Sequence, residues 1–393
     1  MKFNHFMPSR IFFGSGSLDK LGETPLPGKK ALIVISAGNS MKKQGYLDRV
    51  VALLTKNGVE SVVFDKIQPN PIKSHVMEAA ALARQSGCDF VIGLGGGSSI
   101  DSAKSIAMMA RNPGDYWDYI GGGSGQAKPV PNGALPIIAI TTTAGTGTEA
   151  DPWTVITKED TNEKIGFGND HTFPLISIVD PDLMRSVPPH LTAFQGMDAF
   201  FHAAEGVIAN CASPMSDLYA LKSIEIIARW LPVAVKDGAN QEARAQMAFA
   251  NMLSGFVEST SSCTSEHSLE HALSAFHPEL PHGAGLTMLS VAYFGFFLDR
   301  IPGHLFENMA RAMGENVDAL PAGERPAAFI AALKKLIAAC GLDNLKMSDY
   351  GVRREEIPAL AQNARATMGG LFAVDRYTLS LEDTVTIFEN AYR

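Results

Sequence analysis

The feature that most constrains this chain is a change of hydrophobic rhythm near its middle. Up to residue 185, short apolar runs alternate with longer amphipathic ones. KALIVI (30–35), SVVFD (61–65), FVIGLGGG (90–97) and LPIIAITTT (135–143) have the length and composition of buried strands. YLDRVVALLTKNG (46–58), HVMEAAALARQSG (75–87) and SIDSAKSIAMMARN (99–112) have helical spacing, and the first two stop at Gly. Strand–helix alternation of this kind predicts a doubly wound, mostly parallel, Rossmann-like sheet. Prolines 181, 188 and 189 then interrupt the pattern. Beyond them the periodicities are almost all helical: 214–231, 242–260, 304–314, 324–341, 354–364 and 380–392. The expected organisation is an α/β domain over residues 1–185 followed by an all-helical domain over 186–393. GGGSGQAKPVPNG (121–133) reads as a surface loop, and Glu159, Asp160 and Glu163 as a solvated turn.

Composition narrows the function. The 393 residues are 46% apolar and carry a net charge of −8 with no basic run, which argues against nucleic acid or an anionic membrane as partner. Cys88, Cys211, Cys263 and Cys340 are scattered, with no CxxC pair, as in reduced cytoplasmic proteins. No signal-peptide pattern or bilayer-length apolar run occurs. A soluble cytoplasmic enzyme is expected.

Two loops point to an anionic ligand. Gly95-Gly96-Gly97-Ser98-Ser99 lies between a strand and a helix, where small residues let backbone N–H groups and a helix N-terminus approach a diphosphate. The GxGxxG fingerprint is not met, since Ser98 takes its third glycine position. Taken alone, the turn fits a phosphate cradle and a plain tight turn equally well. A hydroxyl-rich stretch, Thr141 to Glu149, follows the strand at 135–140, and ligands of open α/β sheets bind at such strand ends.

In the helical half, GMDAFFHAAEG (196–206) sets Asp198 and His202 one turn apart on one helix face. SEHSLEHALSAFHPELPHGAG (265–285) adds His267, His271, His277 and His282. A carboxylate and three imidazoles suit a divalent transition metal such as Fe(II) or Zn(II). Spacing does not choose between His267 and His271 as the ligand. Met108 and Met109 read as helix core, Cys263 as an inert thiol, His277 as a loop residue, and Glu149 and Glu205 as helix-capping or bridging groups rather than bases.

GGGSSIDSAK (95–104), TTAGTGTE (142–149), GMDAFFHAAEG and the HSLEH…LPHG block together resemble the iron-containing (group III) alcohol dehydrogenases, and the similarity runs along almost the whole chain. The resemblance implies a dehydroquinate-synthase-like architecture: an N-terminal nicotinamide-nucleotide domain, a C-terminal helical domain and a metal in the cleft between them. It maps the metal ligands onto Asp198, His202, His267 and His282, and diphosphate contacts onto Gly95, Gly96, Gly97 and Ser98. Further cofactor contacts fall near Ser36, Gly38, Ser40, Asp101, Thr142, Thr143, Thr146 and Lys164, and His271 becomes a proton-relay or supporting residue. The implied reaction is hydride transfer between NAD or NADP and a small primary alcohol, diol or aldehyde held on Fe2+ (Zn2+ as a substitute). Relatives are often dimers or larger, so a homo-oligomer is expected.

Several positions depart from the family pattern. The stretch from His267 to His282 is one residue longer than usual. Its surroundings (Ser261, Ser262, Cys263, Thr264, Ser265, Ser274) are more polar, and Phe200 and Phe201 replace smaller residues; these positions are expected to face the substrate. The turn Ser36 to Ser40 lacks the acidic residue that grips a ribose 2′-OH and has Lys42 and Lys43 nearby, which is compatible with NADP. The competing readings are a phosphorylated-substrate lyase of the dehydroquinate-synthase type, a metal-dependent hydrolase and a non-catalytic metal-binding scaffold. The first is disfavoured because the metal blocks hold no Lys or Arg; the second leaves both nucleotide loops unexplained; the intact four-ligand set speaks against the third.

Overall fold

Strand–helix alternation in the first half produces a six-stranded sheet, all of whose pairings are parallel. The computed structural model describes residues 3–393. Its strands are β1 (Arg10–Phe13), β2 (Lys30–Ser36), β3 (Glu60–Ile67), β4 (Phe90–Gly95), β5 (Ile137–Thr141), β6 (Thr154–Lys158), β7 (Glu163–Phe167) and β8 (Ile176–Val179). The sheet order is β1-β8-β5-β4-β2-β3, while β6 and β7 form a separate antiparallel hairpin. Helices α1 (Ser40–Lys43), α2 (Tyr46–Lys56), α3 (Lys73–Ser86) and α4 (Gly97–Met109) connect the strands. After β2 the chain goes to β3 on one side and then to β4 on the other, so the order reverses beside β2, where open α/β sheets take their ligands.

The apolar strand runs explain the core. Ile33, Ile35, Ile92, Leu94, Ile138, Ile140 and Ile178 are fully buried in one cluster. Helix α4 is buried from Ser99 to Met109, and Gly93 makes that possible: a Cβ there would stand 2.7 Å from the Ile100 Cα. The sequence reading missed the edge strand β1 and the β6–β7 hairpin, both short and without clear alternation. It also misplaced Glu163, which is no solvated turn residue. Glu163 is buried in β7 and accepts hydrogen bonds from Trp117 Nε1 (3.0 Å), the Ser124 amide (2.8 Å) and Ser124 Oγ (2.6 Å).

The second half is helical, with α5 (Pro189–Ile208), α6 (Pro214–Lys236), α7 (Gln241–Thr260), α8 (Ser265–Phe276), α9 (His282–Phe297), α10 (Gly303–Ala312), α11 (Ala327–Ala339), α12 (Ile357–Thr367), α13 (Gly369–Ala373) and α14 (Leu381–Ala391). The chain divides into two compact units, Met7–Ser186 and Val187–Arg393, with residues 3–6 belonging to the second. His5 accordingly lays its ring near Tyr219 of α6 (centroids 6.2 Å).

Helix α5 is the centre of the helical unit, and its small residues let its neighbours come close. A Cβ at Gly196 would lie 2.2 Å from Leu231, and one at Gly206 would lie 2.0 Å from Val257. Phe200 and Phe201 complete this core. Phe200 stacks on Phe329 (6.3 Å) and Phe201 on Phe294 (6.3 Å), and both are fully buried. The expectation that they face a substrate is therefore corrected: their bulk fills the interior. Among the described residues no helix is long and apolar enough to cross a membrane.

Candidate functional site

In the helical unit, three elements bring one donor set together. Helix α5 carries Asp198 and His202 one turn apart, His267 is the third residue of α8, and His282 is the first residue of α9. The Nε2 atoms of His202, His267 and His282 lie 3.6, 3.6 and 3.5 Å from Asp198 Oδ1. Asp198, His202 and His267 are about 5% exposed, and His282 is the most open, its side chain 23% exposed. Asp198 Oδ1 and His267 Nε2 are buried without a hydrogen-bond partner, an expensive arrangement unless something else satisfies them. Four donors about 2.1 Å from a common centre stand roughly 3.4 Å apart in a tetrahedron. The three separations from Asp198 match that spacing, and donor atoms of Asp198, His267 and His282 all lie within 4.8 Å of one another, so the residues fit a divalent metal of the iron or zinc size. Gly283 allows α9 to begin here: a Cβ would sit 2.0 Å from the Phe194 carbonyl oxygen of α5.

Each imidazole turns its other nitrogen to a carboxylate. His267 Nδ1 hydrogen-bonds Glu205 of α5, His282 Nδ1 hydrogen-bonds Glu270 of α8, and His202 Nδ1 faces Glu258 Oε1 of α7 at 3.4 Å. Burial alone would raise the Asp198 carboxyl, but His202, His282 and His267 hold it well below the usual carboxylate range. Glu205 also accepts from the Thr264 amide (2.6 Å) and Thr264 Oγ1 (2.8 Å), capping α8. Bridging of this kind was anticipated for Glu205; Glu258 and Glu270 were not singled out. Glu270 stands three residues after His267, a readable spacing, whereas nothing in the sequence marks Glu258.

His271 lies beside the donor set, its ring 5.5 Å from that of His282 and 6.3 Å from that of His267. His277 points elsewhere, pairing with Glu356 at 3.1 Å. The Cys263 thiol, pushed up by burial, lies 3.8 Å from Glu258 Oε2. Thr264, Ser265 and Ser274 are structural, which corrects the expectation that they face a substrate. Thr264 and Ser265 are fully buried and share the Tyr293 hydroxyl (2.8 and 3.0 Å), which donates to Asp375 (3.2 Å). Ser274 is buried and bonds the Glu270 carbonyl (3.2 Å). Ser261, Ser262 and Cys263 are half-buried.

In the α/β unit, β4 pairs with β5 so that Gly95 is level with Thr141, and the Thr142 amide donates to the Gly95 carbonyl (2.9 Å). The Gly-rich turn and the threonine loop are thus neighbours. A Cβ on Gly96 would approach Thr143 Cγ2 to 3.0 Å, and one on Gly97 would approach Thr146 Cγ2 to 2.5 Å. Gly95 takes φ +149°. Gly96, Gly97, Ser98, Thr143 and Thr146 remain half-exposed at the start of α4, whose first amides lack intrahelical acceptors. Ser36, Gly38 and Ser40 form a half-exposed to exposed turn after β2, with Lys42 paired to Asp65 at 2.5 Å. Asp101 and Lys164 differ from these. Asp101 is buried and accepts from Thr148 Oγ1 (2.7 Å) and the Val155 amide (2.9 Å). Lys164 is 4% exposed and donates to Asn70 (3.1 Å). Sequence reasoning missed Lys104, which is fully buried and donates to Thr148 Oγ1 (2.6 Å), Asp151 (3.0 Å) and the Trp153 carbonyl (2.6 Å), tying α4 to the loop before the hairpin.

Two family models match the chain: iron-containing alcohol dehydrogenase over residues 8–181 and the C-terminal part of the Fe-containing alcohol dehydrogenase family over 192–392. The chain belongs to the iron-containing alcohol dehydrogenase family. It is 34% identical to the 1,3-propanediol dehydrogenase of Klebsiella pneumoniae over 364 residues, 92% of each chain. It is 34% identical to the NAD-dependent methanol dehydrogenase of Bacillus methanolicus, covering 92% of this chain and 93% of that one. A crystal structure of an archaeal halo-thermophilic alcohol dehydrogenase from a Red Sea brine pool superposes with a TM-score of 0.94 at 37% identity, covering 100% of this chain and 99% of the other. This family member is accordingly an oxidoreductase of the alcohol dehydrogenase and aldehyde reductase kind, and the lyase and hydrolase readings are not favoured.

Proposed function

We propose that this dehydrogenase interconverts a small primary alcohol or diol and its aldehyde, with Asp198, His202, His267 and His282 holding Fe2+ and the Gly95–Ser98 turn holding a nicotinamide dinucleotide. The observation that carries the metal assignment is the convergence of three Nε2 atoms on Asp198 Oδ1 at 3.5–3.6 Å, with buried donor atoms lacking partners. When bound, the ferrous ion supplies Lewis acidity toward an alcohol or carbonyl oxygen and the nicotinamide accepts or returns hydride.

The chain's own residues do the remaining work. Asp198 contributes the one anionic donor, which neutralises part of the ion's charge. The carboxylates behind the three histidines keep each ring turned with Nε2 inward. His271 takes up or returns the proton of the alcohol on its imidazole, close to but outside the donor set. The amides opening α4 and the hydroxyls of Ser98, Thr143 and Thr146 hold the diphosphate. Thr142 binds through the loop it fixes to Gly95, and Asp101 and Lys164 act by shaping the loops around the cofactor.

The turn Ser36–Ser40 holds no carboxylate, and Gly38 is exposed, so a 2′-phosphate meets no repulsion there; we infer that NAD and NADP are both accepted. The methanol and 1,3-propanediol enzymes among the relatives support a short substrate. The four free cysteines agree with a cytoplasmic setting, and we read the chain as a homo-oligomer. The experiment is a panel of alcohols and aldehydes run with both dinucleotides on Fe(II)-loaded protein. Turnover of short primary alcohols or their aldehydes is expected; no nicotinamide turnover across the panel would overturn the proposal.

A further inference from the structure

We propose that Glu205, Glu258 and Glu270 form a ring of positioning carboxylates that sets how tightly this chain holds its metal. The inference rests on the reading of Asp198 and the three histidines as the metal site, and it concerns residues that contribute no donor atom to it. Each glutamate comes from a different helix than the histidine it serves. Glu205 on α5 serves His267 on α8, Glu270 on α8 serves His282 on α9, and Glu258 on α7 serves His202 on α5. The spacing on α5 is telling, because Asp198, His202 and Glu205 at i, i+4 and i+7 lie along one stripe. One helix therefore supplies two donors and the support for a third.

The fold makes room for these side chains. Gly285, one turn into α9, leaves the space that Glu270 occupies: a Cβ there would stand 2.8 Å from Glu270 Cγ and 3.0 Å from its Oε1. Glu205 and Glu270 are fully buried, and Glu258 nearly so at 11%. Burying three carboxylates is costly unless they meet compensating groups. Here each faces the Nδ1 of one imidazole, which fixes the tautomer, leaves Nε2 as the donor and raises that donor's basicity. Helix α7 carries no metal donor at all, and Glu258 is its contribution to the centre.

The test uses metal-free protein titrated with Co2+ against a chromophoric chelator, read together with the Co2+ visible spectrum and the melting temperature of the metal-free chain. Glu258→Gln and Glu270→Gln should weaken Co2+ binding by about 10–100-fold each and shift the visible bands. Gly285→Ala, which keeps the carboxylate but displaces it, should act like Glu270→Gln. A merely structural role would lower the melting temperature and leave Co2+ affinity and spectrum alone. Wild-type affinity in all three variants overturns the inference while leaving the metal site standing. Retention of tight Co2+ by His202→Ala would instead overturn the site on which it rests. A measurement needing no variant is histidine-selective NMR of Zn2+-loaded wild type. Three downfield, exchange-protected Nδ1–H protons are expected, and their absence refutes the ring.

Discussion

The Gly97→Ala substitution tests the cofactor reading through a single methyl group. The added Cβ would lie 2.5 Å from Thr146 Cγ2 and 3.1 Å from Thr146 Cβ and Oγ1. Carbon atoms in contact rest about 3.5–4.0 Å apart, so the two loops must separate by roughly 1 Å. Overpacking of this size costs about 1–3 kcal/mol. If the strain falls on the cradle, dinucleotide affinity drops by about 5–150-fold. The assay is fluorescence titration with NADH and NADPH, with circular dichroism to show that the sheet is intact. Thr146→Ser deletes the methyl that collides, so the double variant Gly97→Ala/Thr146→Ser should recover most of the loss. The coupling between the two positions is then the quantity of interest. An unchanged affinity in the single variant, or a loss that Thr146→Ser does not relieve, would refute the account of the turn.

Three further outcomes are expected. Lys104→Met removes the cation paired with the buried Asp151 carboxylate and should destabilise the α/β unit by about 3–5 kcal/mol, part of which Asp151→Asn in the same chain restores; thermal denaturation reads both. Burial, with the neighbouring Glu205 charge, pushes the Asp375 carboxyl up to about 7 from an ordinary 3.8. The folded chain keeps that proton to higher pH than the unfolded one, so the associated stability is complete below about pH 4 and is lost as pH rises through 7. Asp375→Asn should therefore gain on wild type between pH 5 and 8, by at most about 4 kcal/mol, and a melting-temperature difference that does not vary with pH would contradict this. Gly283→Ala drives a Cβ into the Phe194 carbonyl of α5 and should cost metal content, measured by elemental analysis, more than the same change at the open Gly295 of the same helix.

Much of the fold was legible because burial writes itself into hydrophobic period. The runs at 30–35 and 90–95 are strands for the reason they read as strands, since both faces are covered, while 61–65 is a half-buried edge strand. The long helices of the second half were equally plain. β1 and the hairpin were not, because four- and five-residue strands carry too few positions to show a period. Glu163 shows the limit most clearly. A carboxylate beside Glu159 and Asp160 reads as solvent-facing, and donors about 40 residues away, Trp117 and Ser124, join the nearby Thr161 hydroxyl to make it a buried acceptor. The donor set was legible from local spacing on α5 together with a family pattern. The carboxylates behind it were only half so, since Glu258 meets His202 through helix packing that no short-range spacing records. Phe200 misled because nearness to the ligands was read in place of helix phase: two residues from both Asp198 and His202, it lies on the opposite side of α5.

The most direct test of the central claim is X-ray absorption spectroscopy of the Fe(II)-loaded chain. Three imidazole nitrogens and a carboxylate oxygen at about 2.0–2.2 Å are expected, unchanged in His271→Ala and short of one imidazole in His267→Ala. A sulfur neighbour at about 2.3 Å from Cys263, or imidazole scattering lost in His271→Ala but kept in His267→Ala, would contradict the assignment.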